Sequence, residues 1–597
     1  MAKLPNIIER EKGLLATMVW ALSFAYKYMK KEFFALLVLT IITAIFSFLN
    51  IISFSKIIDL LGTKNISFSE ILPYLALLFA TEYLPPVIGY IKSYFDGVVS
   101  RDVREILEEL RYKKTSSLDI ATLEQPEFHD LLTKANRGIV SVGSLIDFSF
   151  NIIRDTAFFV IASVILIKVL PAGFLIVFLT LIPTFLFEHY SSKEMFKLWE
   201  MQIATNRSIS VRSNPLLNKI GLIEIKFYDA AKYLIDKISE LRKGKNDATN
   251  KFSRKRVSFF TGTVALAQVG SITVIGWVIF QVIQGVTTLG SLTLIWGTIS
   301  RFSKATEALF RSFGRISEHQ AHALKFYSLL KMDSYINENT GSVVFNGVPP
   351  KIEFKNVSFS YPDTDKIILN NISFIIQSKE EVAVVGLNGA GKTTLLRLLT
   401  RVYDPTEGQI FINDIPLSEY YLESWRKGLS IMNQDYRIFD EETIKENIVF
   451  DAKVNNEYLQ QVINESDVDS YIHDYKDGVD QLIGKEFLGG VELSKGQNQK
   501  MILARTLYRN ASLIILDEPT AAIDALSEDK IFKALRNNHK EQTRVIISHK
   551  FSNVRDADKI ILIEHGQIIE QGNHDQLMKI KKGKYKELFE LQAEGYK

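Results

Sequence analysis

Apolar positions along this chain follow two different patterns. Through the first half they come in long, nearly unbroken runs. A bilayer core requires about 20 apolar residues in helix, and residues 33–54 supply such a run. A second candidate, 71–91, is interrupted by Glu82 and by Pro85 and Pro86. Runs at 146–170 and 172–187 follow, split only by Pro171, so that Pro171, Ala172 and Gly173 form a very short outer loop. Runs at 257–283 and 289–310 complete a set of six expected spans. In the second half the pattern changes. Short β-branched runs, at 352–354, 381–385 and 513–516, alternate with helical periodicity, which predicts a mostly parallel sheet with helices on its faces.

The segments between the apolar runs alternate in length and charge. Those at 62–69, 171–173 and 284–288 are short and hold almost no basic residues, whereas 92–137 and 193–256 are long, helical in pattern and rich in Lys and Arg. Basic residues stay on the cytosolic side, so both long loops and both termini are expected there, with helices extending well beyond the bilayer. The first 31 residues carry charges of both signs with no small-residue cleavage site, so a secretory leader is not expected. Residues 14–29 read as an amphipathic helix along the membrane surface. The expected layout is an interfacial helix at 1–32, a transmembrane domain with six spans and two long cytosolic loops at 33–336, a linker at 337–350 and an α/β domain at 351–597.

Composition adds exclusions. The net charge of the 597 residues is +3, which gives no reason to expect a nucleic-acid partner. There is no cysteine, which removes disulfides, thiolate metal sites and cysteine nucleophiles.

The apolar run 381–385 leads into Gly386, Leu387, Asn388, Gly389, Ala390, Gly391, Lys392, Thr393 and Thr394, and then into a helical pattern. This is a phosphate-binding loop in the strand–loop–helix setting it requires. Its glycines let backbone N–H groups converge on phosphates, Lys392 brings a cation to the β and γ positions, and Thr393 offers a hydroxyl to Mg²⁺. A second buried strand, 513–516, ends in Asp517 and Glu518. Asp517 can reach Mg²⁺ from the strand end, and Glu518 is placed to orient or deprotonate the attacking water.

Leu493, Ser494, Lys495, Gly496 and Gln497 resemble the signature motif of ATP-binding cassette proteins, and the whole chain is similar to that family's exporter subgroup. The resemblance implies the type IV exporter fold, an all-α six-helix transmembrane domain followed by an α/β phosphate-loop domain, with ATP and Mg²⁺ as cofactors. It further implies that Tyr361 stacks on adenine, that Gln434 approaches Mg²⁺ and water, that Asp524 lies on the loop crossing a dimer, and that His549 contacts the γ-phosphate. Ser494, Gly496 and Gln497 would contact the ATP held by a second cassette, so one chain cannot complete a site. All catalytic positions are filled, which favours a homodimer over a heterodimer. Lys495 departs from the pattern, replacing the usual first glycine. The segment 123–128, broken by Pro126, looks like a first coupling helix, and Asn214 to Leu217 with a helix at 223–234 like a second.

The stretches 484–494 and 126–128 resemble exporters of bacteriocin and lantibiotic-type peptides. ATP-driven export of a peptide across a bacterial cytoplasmic membrane is therefore the first expectation, with drug or lipid extrusion as the alternative and a non-transporting regulatory ATPase or channel as a remote one. Among ionisable residues in the spans, Glu82, Arg154, Asp155 and Arg301 are candidates for the pathway, since charge at membrane depth is costly.

Overall fold

The computed structural model describes residues 14–63, 66–334, 341–362, 364–450 and 453–594. Residues 1–13 of the expected interfacial segment, and 337–340 of the expected linker, lie outside them. The chain divides into two compact units: Met1–Ser117 with Gln125–Met332, and Leu118–Glu124 with Asp333–Lys597.

Every regular element of the first unit's described residues is a helix. The unit comprises α1 (Leu14–Tyr28), α2 (Lys30–Leu61), α3 (Phe68–Ser116), α5 (Pro126–Val169), α6 (Pro171–Ser213), α7 (Lys219–Phe227), α8 (Ala231–Ile283) and α9 (Leu289–Leu330), while the four-residue α4 (Ile120–Leu123) falls in the second unit. Every expected span falls on a long helix, the third running one residue past the end of α5, and the long loops are mostly extensions of those helices. Four of the six, α2, α3, α6 and α8, are long and apolar enough to cross a membrane by length and composition. Polar residues dilute the other two, such as Asn151, Arg154 and Asp155 on α5 and Arg301, Lys304 and Glu307 on α9.

Pro85 and Pro86 do not interrupt the second span, because α3 runs through them. Neighbouring helices and local adjustment make proline tolerable at membrane depth. Pro126 opens the long α5, at the first-turn position where its missing N–H costs nothing. The short helix, α4, lies before it, capped by Asp119, which accepts from Thr122 N at 2.7 Å. The helix expected at 223–234 is two helices, α7 and α8, with Asp229 between them at φ 47°. Between α5 and α6 only Leu170 remains as a connection. The bundle core joins Phe48 and Ile51 of α2, Leu166 of α5, Val177 and Leu181 of α6, Val274 of α8, and Ile299 and Phe302 of α9.

The second unit contains β1 (Ile352–Ser360), β2 (Ile367–Ile376), β3 (Glu381–Val385), β4 (Glu407–Ile412), β5 (Ile415–Pro416), β6 (Leu429–Met432), β7 (Leu513–Asp517), β8 (Thr543–Ile547), β9 (Lys559–Glu564) and β10 (Gln567–Gly572). Its helices after α4 are α10 (Lys392–Leu399), α11 (Leu422–Lys427), α12 (Ile444–Val449), α13 (Asn456–Glu465), α14 (Asp469–Ile472), α15 (Lys495–Tyr508), α16 (Ala525–Asn538), α17 (Phe551–Val554), α18 (His574–Met578) and α19 (Lys584–Glu594). A six-stranded sheet has the order β10-β9-β3-β8-β7-β6, parallel except for β10. Strands β3, β7 and β8 are buried at every position, which explains their unbroken apolar sequence. A second sheet, β2-β1-β4-β5, is antiparallel and was not expected.

The segment read as a linker is partly built into this unit. Phe345 is buried edge-on against Trp425, with ring centroids 5.1 Å apart, and Ser342 and Val343 donate backbone N–H groups to Glu419 O. Residues 118–124 also belong here: Ala121 is 2% exposed in the core, and Glu124 accepts from Tyr403 Oη at 2.6 Å and Arg397 at 3.1 Å.

Candidate nucleotide site and a polar cluster in the helices

The sheet order explains how residues far apart in sequence meet. Strands β3, β8, β7 and β6 are parallel neighbours, so their carboxyl ends lie along one edge. The loop after β3 carries Lys392, that after β8 carries His549, that after β7 carries Glu518, and that after β6 carries Gln434. A crevice outside the carboxyl ends of such strands is where open α/β sheets bind ligands.

The phosphate loop is held open at its turn by glycine. Gly391 sits at φ 105°, and a Cβ there would lie 2.6 Å from Leu369 Cδ2. Lys392 is 7% exposed, and its ammonium donates to Gly386 O at 2.9 Å and Leu387 O at 3.0 Å. Burial lowers its pKa, while Glu518 and Asp517 act in the opposite direction. Thr394 bonds Tyr361 Oη at 3.0 Å, and the Arg397 guanidinium lies 5.7 Å from the Tyr361 ring centroid. Asn388, Gly389 and Thr393 are exposed on the loop.

Glu518 lies between Gln434 and His549. Its carboxylate accepts from Gln434 Nε2 at 3.3 Å and faces His549 Nε2 at 2.9 Å. Its backbone has φ 50°, a left-handed conformation costing a non-glycine residue about 1–3 kcal/mol and concentrated at functional sites. Two bonds hold it there: Glu518 N donates to Ile547 O at 3.0 Å, and Gln499 Nε2 donates to Glu518 O at 2.9 Å. Burial lowers the His549 pKa, as does the charge on Lys392.

Asp517 is buried, and its pKa is raised to about 6, first by burial and then by the charge on Glu518. A divalent cation would relieve that repulsion. Thr393, Gln434 and Asp517 line one cavity of about 510 Å³, so the three expected Mg²⁺ contacts share one space. These residues fit such an ion by donor type and by charge.

Ser494, Gly496 and Gln497 make local contacts. Ser494 caps α15, with Gln497 N donating to Ser494 Oγ at 3.2 Å and Ser494 N to Gln497 Oε1 at 2.8 Å. A Cβ on Gly496 would stand 2.8 Å from Ala522 O, so the loop after β7 passes too close for a side chain there. Asp524 caps α16, accepting from Leu526 N at 3.1 Å and Ser527 N at 3.0 Å. Lys495 is exposed at the first position of α15. Lys495→Gly is accordingly expected to change steady-state phosphate release by less than about two-fold, since exposed charges contribute little. A larger change would put the ammonium in the path of the nucleotide.

Three residues with no motif behind them also matter. Gln499 joins the signature helix to the loop after β7, because its Oε1 also accepts from Ala522 N at 2.8 Å. Glu528, 9% exposed, binds Lys550 at 3.1 Å, Asn553 at 2.5 Å and the Thr520 hydroxyl, tying that loop to the one carrying His549. The third is Gln592 of α19, which reaches the His549 loop.

The first unit has a polar cluster of its own. Arg301 of α9 donates to Ser47 Oγ of α2 at 2.5 Å, and its Nε is buried without a hydrogen-bond partner. Asn50 of α2 donates to Glu82 at 2.8 Å and to Thr81 at 3.2 Å, both on α3. Arg154 and Asp155 pair with each other at 2.8 Å.

Fold and site together define a helical unit with helices long and apolar enough to cross a membrane, and an α/β unit with a phosphate-binding loop. Residues 369–521 match the family described as "ABC transporter". The chain is similar to the "ATP-dependent lipid A-core flippase" of Pasteurella multocida (strain Pm70), 34% identical over 310 residues, covering 51% of this chain and 52% of that one. That match spans about half the relative's length. It is also 26% identical over 554 residues to the "Subtilin transport ATP-binding protein SpaT" of Bacillus subtilis, covering 92% of this chain and 89% of that one. Among solved structures, a bacterial Atm1-family ABC exporter with ATP bound superposes with a TM-score of 0.82 at 22% identity, covering 95% of this chain and 99% of that one. The chain thus shares the fold of that exporter, and its match to the ABC transporter family lies in its C-terminal half.

Proposed function

We propose that the chain is an ATP-driven exporter of an amphipathic lipid, acting as a homodimer in a bacterial cytoplasmic membrane. The observation that carries this reading is that one chain holds both a full set of hydrolytic groups around Glu518 and a helix bundle with a polar cluster at depth. ATP is the ligand of the closed dimer and shifts the population toward it, and loss of the γ-phosphate releases it. Thr393, Gln434 and Asp517 would hold Mg²⁺, which when bound would neutralise charge on the β and γ phosphates. Glu518 positions and deprotonates the attacking water, Gln434 and His549 hold its carboxylate in place, and Lys392 meets the phosphates.

The lipid reading follows the flippase relative's name and the chemistry of Arg301. A half-buried guanidinium with an unpartnered Nε–H suits an anionic headgroup, and apolar helices suit acyl chains. A peptide substrate is the second reading. It is favoured by the similarity to the subtilin transport protein, which extends along nearly the whole chain.

ATPase stimulation in vesicles by phosphorylated glycolipids, phospholipids and cationic peptides separates the two. Lipid stimulation is expected, and stimulation by peptides alone would install the second reading. Arg301→Ala is expected to remove most of the stimulation while leaving basal ATPase near normal, because basal turnover belongs to the cassettes. Basal and stimulated rates falling together would make Arg301 structural, and no change in either would take it off the pathway.

A further inference from the structure

The loop that brings His549 to Glu518 is short and is gripped from two sides. On one side Lys550 Nζ reaches Thr520 O at 3.3 Å and both Glu528 oxygens at 3.1 Å. On the other, the side-chain amide of Gln592 spans the loop backbone. Its Nε2 donates to His549 O, and its Oε1 accepts from Phe551 N at 2.9 Å. We infer that Gln592, on the C-terminal helix α19, is a positioning residue for His549 in ATP hydrolysis. The inference rests on the proposed role of His549 in that reaction.

The grip is useful only if α19 is itself fixed, and it is. Tyr585 is fully buried, its hydroxyl lies 2.8 Å from His574 Nδ1, and its ring is 5.3 Å from that of Phe551. Phe589 packs edge-on to Phe551 at 6.4 Å. Glu570 accepts the N–H groups of Lys584 at 2.6 Å and Tyr585 at 3.0 Å, which satisfies donors that a helix start leaves open. Tyr585, Phe589 and Gln592 are spaced by four and three residues, so they share one helix face. The aromatic pair docks the helix, and Gln592 carries that fixed position to the backbone carbonyl of His549. The imidazole, 2.9 Å from the Glu518 carboxylate, is therefore placed partly from the far end of the chain.

The test uses the full-length protein in lipid vesicles, with hydrolysis followed by release of labelled γ-phosphate. Gln592→Leu keeps the approximate size and removes both hydrogen bonds. Turnover should fall roughly three- to tenfold, the effect of one or two modest hydrogen bonds, with affinity for a fluorescent ATP analogue within about two-fold of wild type. Gln592→Glu keeps the acceptor for Phe551 N, loses the donor to His549 O and should fall in the same direction, so the test survives poor folding of the first variant. The decisive readout is the double-mutant cycle. In a His549→Ala background, Gln592→Leu should have almost no further effect, since residues acting through one another are not additive. Independent, multiplying effects would overturn the positioning role, as would normal turnover of both Gln592 variants beside a slow His549→Ala. Wild-type turnover of His549→Ala would instead overturn the reading on which the inference rests.

Discussion

Glu518→Gln is expected to nearly abolish ATP turnover while ATP still binds. Amide for carboxylate keeps the size of the side chain and leaves the phosphate loop untouched, but it removes a carboxylate that touches both His549 and Gln434 and can take a proton from water. General-base help of this kind is worth roughly 10²–10⁴-fold. The backbone strain at this position need not change, because its two restraining bonds run from main-chain atoms of residue 518. The neighbouring Asp517 should ionise more easily once the charge on Glu518 is gone, since that charge helps to raise its pKa. Metal ligation is thus preserved or improved, and the variant should accumulate with ATP bound. Phosphate-release assays and retention of labelled ATP after gel filtration measure both halves. Activity above roughly a tenth of wild type would remove Glu518 from the role of base.

Lys392→Ala should do the opposite and damage binding itself. The ammonium is the cation nearest the expected β and γ phosphates, and a charge-assisted hydrogen bond contributes about 1.5–3 kcal/mol. Loss of one such bond weakens affinity by roughly ten- to a hundredfold. In the free protein the same ammonium bridges two carbonyls of the loop, Gly386 O and Leu387 O, so its removal also loosens the cradle. Titration with a fluorescent ATP analogue checks this, and unchanged affinity would refute the assignment.

The parts of the site legible in the sequence are those whose chemistry lies in consecutive residues. The loop from Gly386 to Thr394 and the Asp517–Glu518 pair each carry their own strand-end context. The buried strands were legible for the same reason: a run such as Leu513 to Leu516, apolar at every position, reads as a strand covered on both faces. Residues acting across elements were not. Gln499, Glu528 and Gln592 each reach another element through a single polar side chain, and no spacing rule marks such a residue. The antiparallel sheet was missed because β1 and β2 are only half buried and bulged, which blurs their alternation. Proline misled in both directions. Pro85 and Pro86 lie inside a helix that continues, and Pro126 begins one, because packing decides what a proline rule leaves open. In the spans, charge alone pointed to Glu82 and Arg301, but only the fold shows that Arg301 meets Ser47 and that Arg154 and Asp155 pair with each other.

Residues 118–124 make the cassette a discontinuous object. Ala121 fills a place in its core, and Glu124 caps two of its polar side chains, yet more than two hundred residues separate them from the rest of that core. A boundary drawn at Asp333 therefore does not cut out a self-sufficient module. It leaves an empty socket where Ala121 sat and strands Tyr403 and Arg397 without their acceptor. The same separation constrains folding during synthesis. The heptapeptide leaves the ribosome long before the surface that receives it, so the second unit can close only after nearly the whole chain has been made.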